Sequence, residues 1–512
     1  MRMLSWMIAL FCMSCVVKEE AEDRGFKLAK THCGSCHQFP DPKLLDRKSW
    51  EANVLPAMAL RLGRIPDVNS HAKLQDQYFH LTENELVPEE ALLSEQEWEH
   101  LRQFYLGLAP DSLSVDLSPL PENEQFTIKT GKAFTAGLLP AVTHVHYSQH
   151  MQKLLFGAFG SQQIYLTSTD SADVVLMNAP SMLTHVQDLA DERPAHHRLL
   201  LTYLGQVIRP DAPAAGVLGE ATLRQGQLAD FQLLPLPMLH RPSQAEYINL
   251  TGDAEPELLI SEFGYFKGRL AYWQKDNDGD FVPHLISSEP GVVQFDTLDC
   301  QDDGLTDLMV LFAHGDERIS LFENQGNGRF EEKVLLRFPP VYGSSSFVLA
   351  DLDGDQLQDI VYTCGDNADL SPIAKDYHGL YIFRNEGKDQ YREIFHQPMP
   401  GAYEAVVEDF DLDGDLDVAA LAFFVAEDRA ESPAFVYLEQ MEPLKFSAST
   451  HDIRPLGRWI SMDVGDIDKD GDQDLMLGNG YGLTGLDMIQ KVKTNAAGPW
   501  LLLENQARNP EE

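Results

Sequence analysis

Asp466-Ile-Asp468-Lys-Asp470-Gly471-Asp472-Gln-Asp474 runs directly into Leu475-Met-Leu-Gly, an acidic turn feeding an apolar strand. Side-chain oxygens stand at positions 1, 3, 5 and 9 of the turn, with glycine at 6. Carboxylates crowded into one tight turn repel unless a cation sits among them. Hard oxygen donors at alternating positions, with glycine at the bend, are the calcium pattern; magnesium, with its stricter octahedral geometry, fits less well. A lone turn of this kind reads equally as a solvated acidic loop. This one has company: Asp409-Phe-Asp411-Leu-Asp413-Gly414-Asp415-Leu-Asp417, Asp351-Leu-Asp353-Gly-Asp355-Gln-Leu-Gln-Asp359, Asp299-Cys-Gln301-Asp-Asp303-Gly304-Leu-Thr-Asp307, and a degenerate Asn249-Leu-Thr251-Gly-Asp253-Ala-Glu-Pro-Glu257. The expected ligands are Asp299, Asp303, Asp307, Asp351, Asp353, Asp355, Asp359, Asp409, Asp411, Asp413, Asp417, Asp466, Asp468, Asp470 and Asp474, for about three to five Ca2+. The expected role is structural, each ion pinning the loop that opens a repeat.

The strand after each loop extends the repeat upstream. Leu154-Leu-Phe-Gly, Leu199-Leu-Leu-Thr, Leu258-Leu-Ile-Ser, Leu308-Met-Val-Leu, Ile360-Val-Tyr-Thr, Val418-Ala-Ala-Leu and Leu475-Met-Leu-Gly recur every 45 to 59 residues. Several repeats carry a second strand closing on Asn, at Asn324, Asn385 and Asn505. Short strands at fixed period with Gly-rich turns predict a seven-bladed β-propeller over 125–508. A strand near Phe126 or Leu501 is placed to complete a shared blade and close the ring.

The chain is long enough for several domains, with 512 residues, and 44% hydrophobic residues supply a sizeable core. Its net charge of −41 repels nucleic acid and anionic lipid. The five loops hold 21 of the 80 acidic residues, so bound metal accounts for part of that excess.

The amino end reads as an address. Arg2 precedes a short apolar run, Leu4 to Phe11, well below the roughly 20 residues of a membrane span. Residues 1–15 are expected to be a signal peptide, either of plain secretory type or ending on Cys15 as a lipidated residue. Residues 16–110 are expected to be a small all-α domain built around Cys33-Gly-Ser-Cys36-His37, a C-x-x-C-H motif that reads as c-type haem attachment. Two thiols three apart on a helical turn each reach one vinyl group, and the adjacent His37 sits beneath the iron. A bare C-x-x-C also serves as a redox disulfide or half a zinc site, but this one closes a helix and has no second ligand pair nearby. Met58, the only methionine between Val16 and Pro110, is the candidate sixth ligand; His71, His80 and His100 are its alternatives. Ser94 with Glu97 predicts a capping box opening a helix whose apolar face is Trp98, Leu101, Phe104, Tyr105 and Leu108. Residues 111–124, rich in Pro and Ser, read as a linker.

The acidic loops resemble the FG-GAP/VCBS-type calcium repeats of integrin α-subunit propellers and many bacterial exported proteins. The whole chain resembles bacterial exported proteins that join a monohaem cytochrome c to such a propeller, sharing Glu262-Phe-Gly, Gly365-Asp-Asn-Ala-Asp, Tyr377-His-Gly and Gly457-Arg-Trp with them. The resemblance implies one covalent haem c, calcium, a redox partner protein, and residence in the periplasm or at the outer membrane or cell surface. It leaves any substrate open. Three readings follow: an electron carrier whose propeller docks a partner; a haem-dependent dehydrogenase whose propeller holds a substrate; and an adhesion or binding module. No quinone-cofactor signature or phosphate loop supports the second. The histidines His144, His146 and His150, and His185, His196 and His197, read as strand and loop residues, since no carboxylate or Cys has matching spacing. His314 and His378 fall in loops after propeller strands, where binding sites gather. Cys300 and Cys364 lie in neighbouring repeats, as a pair or as free thiols.

Overall fold

The seven apolar markers are the second strands of seven four-stranded antiparallel sheets. The computed structural model describes residues 23–508 except 65–77, 80, 83–85, 132–139, 169–172, 191–192, 194–195, 207–212, 254, 367–370, 372 and 484–497. Cys15, His71 and His80 lie outside the described residues. Among the described residues the strands run β1 to β28. Second strands such as β11 (Glu257–Glu262), β15 (Asp307–Phe312), β19 (Asp359–Cys364), β23 (Asp417–Ala422) and β27 (Asp474–Asn479) are buried at every position. Each is flanked by two strands and covered on both faces by adjacent blades, which is why it reads as an unbroken apolar run rather than an alternating one. The two repeats that only a strand marker supports are full blades, running from β2 (Val142–Ser148) to β5 (Val174–Asn178) and from β6 (Leu183–Leu189) to β9 (Gln227–Leu233).

The ring closes as the sequence suggests. β1 (Phe126–Thr130) pairs with β28 (Trp500–Asn505), so the seventh sheet is ordered β1-β28-β27-β26 and joins the two ends of the propeller. The 111–124 stretch bridges to the sixth blade, with Glu122 opposite Thr450 and Asn123 N–H donating to Thr450 O at 2.8 Å.

Blades meet through their first strands: β2, β6, β10 (Pro242–Ile248), β14 (Val292–Leu298), β18 (Ser344–Ala350), β22 (Ala402–Glu408) and β26 (Trp459–Gly465). Every one of these is bulged at its second residue. Such a bulge re-aims the next side chain, and here it turns it toward the neighbouring blade. Gln244, Gln294 and Glu404 each accept from a backbone N–H of the following blade, of Phe295 at 3.0 Å, Phe347 at 3.1 Å and Met462 at 2.7 Å. These bonds stitch blades that share no ladder.

A second set of staples works at the other end of the first strands. The ninth-position carboxylate of each of the four regular acidic loops is buried and accepts backbone N–H groups from its own loop and from the end of the third strand. Asp307 accepts from Cys300 and Asn324, Asp359 from Leu352 and Asn385, Asp417 from Phe410 and Gln440, and Asp474 from Ile467 and Asn505. Asn324, Gln440 and Asn505 then donate side-chain N–H to Leu250, Leu352 and Phe410 of the preceding blade. The strand-ending Asn324 and Asn505 of the sequence repeat are therefore inter-blade ties, whereas Asn385 donates to Gln358 O of its own blade.

The N-terminal region is helical. Helix α1 covers 23–32; α2 is built as Arg47–Ser49, a π-turn at Trp50–Val54 and Leu55–Arg61; α3 is Glu95–Leu108. The Ser94–Glu97 capping box is formed in both directions. Trp98, Leu101, Phe104 and Tyr105 of α3 are buried, but Leu108 is exposed at the helix end, so the predicted apolar face is one residue too long. The core around Trp50 and Tyr105 includes Val341 and Tyr377 of the propeller. Tyr377 OH donates to Leu44 O at 3.0 Å, and Ser49 Oγ to Ser371 Oγ at 3.0 Å, so the helices rest directly on one end of the ring. No helix among the described residues is long and apolar enough to cross a membrane.

Candidate functional site

α1 ends where the C-x-x-C-H motif begins. Cys33 N–H still donates to Ala29 O at 2.8 Å, and residues 33–36 form the turn that follows. Both thiols are free. They line a cavity of about 1540 Å3 together with His37 and, from α2, Met58. Leu55, Leu62, Trp98, Leu101 and Tyr105 give this end apolar walls. Met58 stands one turn after the π-turn, a deviation often found at functional positions. His100, one of the alternative ligands, is absent from the cavity wall. His37 Nδ1 lies 2.9 Å from Gln38 O; as donor there it leaves Nε2 as the lone-pair nitrogen. Burial lowers the His37 pKa and raises that of Cys33, favouring a neutral imidazole and thiol. Paired thiols, a neutral oriented imidazole, a thioether and flat apolar walls fit a covalently held haem.

The cavity continues into the propeller. Its other walls are the starts of all seven first strands, including His144, His185, Gln244, Gln294, Ser346, Glu404 and Ser461. His146 stands on a strand, as expected, and the fold supplies carboxylates that sequence spacing does not. It lies 3.3 Å from Asp188 and 3.5 Å from Asp463, residues from different blades that sequence spacing cannot bring together. Those carboxylates raise its pKa to about 9 against the opposing effect of burial. Of the two loop histidines, His314 lines the cavity, whereas His378 is fully buried away from it. Cys300 Sγ donates to Asp307 at 2.8 Å, and Cys364 is buried with Sγ 3.3 Å from Tyr377 O; both are free thiols. Arg61, Arg241 and Glu317, also on the wall, carry no motif and were not legible as site residues.

Glu404 makes a pH prediction. Burial pushes its carboxyl up to about 8, although Met462 N–H donates to it. The folded state thus prefers the protonated form. That stability is complete below the ordinary carboxyl pKa of about 4.3 and drains away as pH rises through 8. Glu404→Gln keeps the acceptor, as Gln244 and Gln294 do in their blades. Melting curves at fixed calcium should match the parent at pH 5 and exceed it at pH 9, by on the order of 3 kcal/mol. Parallel pH profiles would refute the assignment.

The acidic loops sit at the opposite end of the first strands from the cavity. Asp351, Asp353 and Asp355 bring carboxylate oxygens within 4.8 Å of one another, as do Asp409, Asp411 and Asp413, and Asp466, Asp468 and Asp470. No such triplet forms among the described residues of the loop at Asp299, where Gln301 takes the third position. The ninth residues, Asp307, Asp359, Asp417 and Asp474, stand apart from the triplets as the staples described above, because buried N–H groups claim their oxygens first. Burial raises the carboxyls of Asp359 and Asp417 to about 6 and of Asp474 to about 7. The fourth residue of each of these triplet loops is left-handed: Gly354 with φ 73°, Leu412 with 63° and Lys469 with 73°. Leu and Lys pay strain in that region, so the loop geometry is imposed by its surroundings.

The FG-GAP-like repeat family matches residues 299–362 and 409–477, which contain the four regular acidic loops and all or most of the second strand after each. The chain is thus a seven-bladed β-propeller carrying FG-GAP-like repeats, with a helical N-terminal region seated on one end. No curated protein matches it. Among solved structures, it is similar to BBS1N in complex with ARL6DN at 9% identity and TM-score 0.42, covering 76% of this chain and 98% of that one. It is similar to the N-terminal domain of Nup159 at 14% identity and TM-score 0.41, covering 72% and 98%. For a luciferin-regenerating enzyme the values are 10%, 0.37, 74% and 95%. Likeness at this level carries nothing about what this chain does.

Proposed function

We propose that this chain is an exported monohaem c-type electron-transfer protein, stabilised by calcium in its propeller loops, with the propeller docking a redox partner protein. The observation that supports it best is that Cys33, Cys36, His37 and Met58 all line the same cavity. In this reading Cys33 and Cys36 would form the thioether links, His37 Nε2 and Met58 Sδ would hold the iron, and the apolar walls would exclude water. The bound haem supplies a one-electron couple, which a His/Met pair poises high. Export to the periplasm or cell surface, with Cys15 as the residue for any lipid anchor, belongs to the same proposal, since thioether attachment and a signal peptide go together in the sequence. Calcium is proposed for the loops at Asp351, Asp409 and Asp466, where three carboxylates converge, and less strongly for that at Asp299.

The cavity's continuation to all seven first strands favours one second reading, a haem-dependent oxidoreductase whose propeller holds a small substrate. Its volume of about 1540 Å3 exceeds the roughly 300–1,000 Å3 of ordinary ligand sites.

The test is full-length protein matured with haem-attachment machinery. A peroxidase-staining band on a denaturing gel is expected, lost in Cys33→Ser/Cys36→Ser. Met58→Ala should convert the low-spin spectrum to high-spin; an unchanged spectrum assigns the sixth position to another residue. Haem reduction by alcohols, sugars or amines favours the oxidoreductase reading, and its absence the carrier. An unstained parent band sinks both.

A further inference from the structure

The residue that follows the C-x-x-C-H motif ties it to the propeller. His37 Nδ1 lies 2.9 Å from the backbone carbonyl oxygen of Gln38. The side chain of that same Gln38 reaches the end of β17 (Phe330–Arg337), the last strand of the fourth blade. Its amide faces two carbonyls there, Arg337 O at 3.0 Å and Phe338 O at 3.2 Å. Only the amide nitrogen can donate to a carbonyl, and its two hydrogens match the two acceptors. One residue therefore holds the imidazole through its backbone and the propeller through its side chain.

The propeller end of this tie is rigid. Phe338 N–H donates to Glu317 O at 2.8 Å, and the Phe338 ring stacks on Tyr362 of the fifth blade at 4.3 Å, with the planes 4° apart. Val341 and Tyr342 N–H both close on Pro339 O, at 2.8 and 3.0 Å. Tyr342 stacks on Tyr377 at 4.7 Å, and Val341 and Tyr377 belong to the same packed core as Trp50 and Tyr105 of the helical region. Arg337 pairs with Asp316 at 2.9 Å. The other end is local backbone only: His37 and Gln38 lie in a bend after α1, outside any helix or strand. The fixity that this bend lacks is supplied by the Gln38 side chain.

We propose that Gln38 is a positioning residue through which the propeller holds the acceptor of His37 Nδ1–H and so regulates the reduction potential of the haem. The proposal rests on the haem reading above. An imidazole whose second nitrogen donates to a well-placed carbonyl is a stronger ligand to a metal, and a stronger imidazole ligand favours ferric over ferrous iron. The Gln38 carbonyl stays in place while its own side chain is held, and the atoms that hold it belong to the fourth blade.

The experiment uses the full haem-loaded chain with Gln38→Leu, which keeps the bulk and loses both donors, and Gln38→Asn, which keeps the amide but falls one methylene short. Gln38 is exposed, so both variants should melt with the parent. Spectroelectrochemistry should show the ferric/ferrous equilibrium of both shifted roughly threefold toward ferrous iron, the His37 bond being loosened rather than removed. The hyperfine-shifted Nδ1 proton of His37 in the ferric protein should exchange with solvent faster in both, under an unchanged low-spin spectrum. An unmoved potential overturns the proposal, and so does a shifted potential with an unmoved proton, which places the effect away from His37. Asn behaving as the parent while Leu shifts makes polarity rather than reach the cause, and overturns it too. In the haem-free chain the Gln38 side-chain amide should exchange several-fold more slowly than that of a free glutamine; exchange at the free rate overturns the tie itself. A parent that carries no haem sinks the functional reading and the regulation together, whereas a haem-loaded parent with unmoved variants sinks the regulation alone.

Discussion

Exhaustive chelation is expected to lower the melting temperature of the propeller by roughly 10–15 °C, and calcium, but not magnesium, to restore it. An ion held at a hundred times its dissociation constant adds about 2.7 kcal/mol to the folded state. Three loops with converging carboxylates would therefore contribute about 8 kcal/mol, at roughly 1–2 °C per kcal/mol once the per-residue unfolding entropy is scaled to a domain of this size. The loops will not contribute equally. Arg384 Nε donates to Asp353 at 2.8 Å, and its Nη2 reaches Asp353 at 2.7 Å and Asp355 at 3.2 Å, so this loop already contains a cation of its own. Asp411→Ala and Asp468→Ala should each remove a full share of the calcium effect, and Asp353→Ala a smaller one. Calorimetry with and without chelator checks this; a melt indifferent to chelator removes calcium from the account of this fold.

The blades were legible because their second strands are covered on every side, leaving an apolar run that neither amphipathic helices nor exposed strands produce. The acidic turns were legible because a tight loop of carboxylates has few physical excuses. What the sequence concealed was division of labour within the turn. Positions 1, 3, 5 and 9 look alike as letters, yet Asp466, Asp468 and Asp470 converge while Asp474 turns inward to backbone N–H groups. The Ile467 and Asp468 N–H groups are local, but the Asn505 N–H comes from the third strand, some thirty residues further on, and local spacing carries no trace of it.

The cavity divides in the same way. Cys33, Cys36 and His37 announce themselves by covalent chemistry that demands fixed spacing, and Met58 follows from the scarcity of methionine around it. Arg61, Arg241 and His314 come from α2 and from loops of two adjacent blades, and only the packing of those elements brings them to one cavity. His146 shows the limit most plainly: its partners Asp188 and Asp463 are 42 and 317 residues away along the chain.

Asp474→Ala destabilises the chain by about 3–6 kcal/mol, and does so in the presence of chelator. Asp474 is buried at the start of β27, accepts Ile467 and Asp468 N–H at 3.0 and 3.2 Å through one oxygen, and Asn505 N–H at 2.9 Å through the other. Truncation leaves two buried donors unpaired, at about 1–3 kcal/mol each, and the half-buried Asp468 N–H beside them. One of them belongs to β28, the strand that carries β1 and completes the ring. Loss of this staple is therefore expected to loosen ring closure before the rest of the propeller. Amides of Phe126–Thr130 should exchange faster than those of the sixth blade in Asp474→Ala, and not in Asp417→Ala. Asp474→Asn keeps one acceptor and should lose less. Denaturant titration in chelator separates the staple from a metal ligand: a deficit of Asp474→Ala seen only with calcium present would make the residue a ligand and the staple incidental.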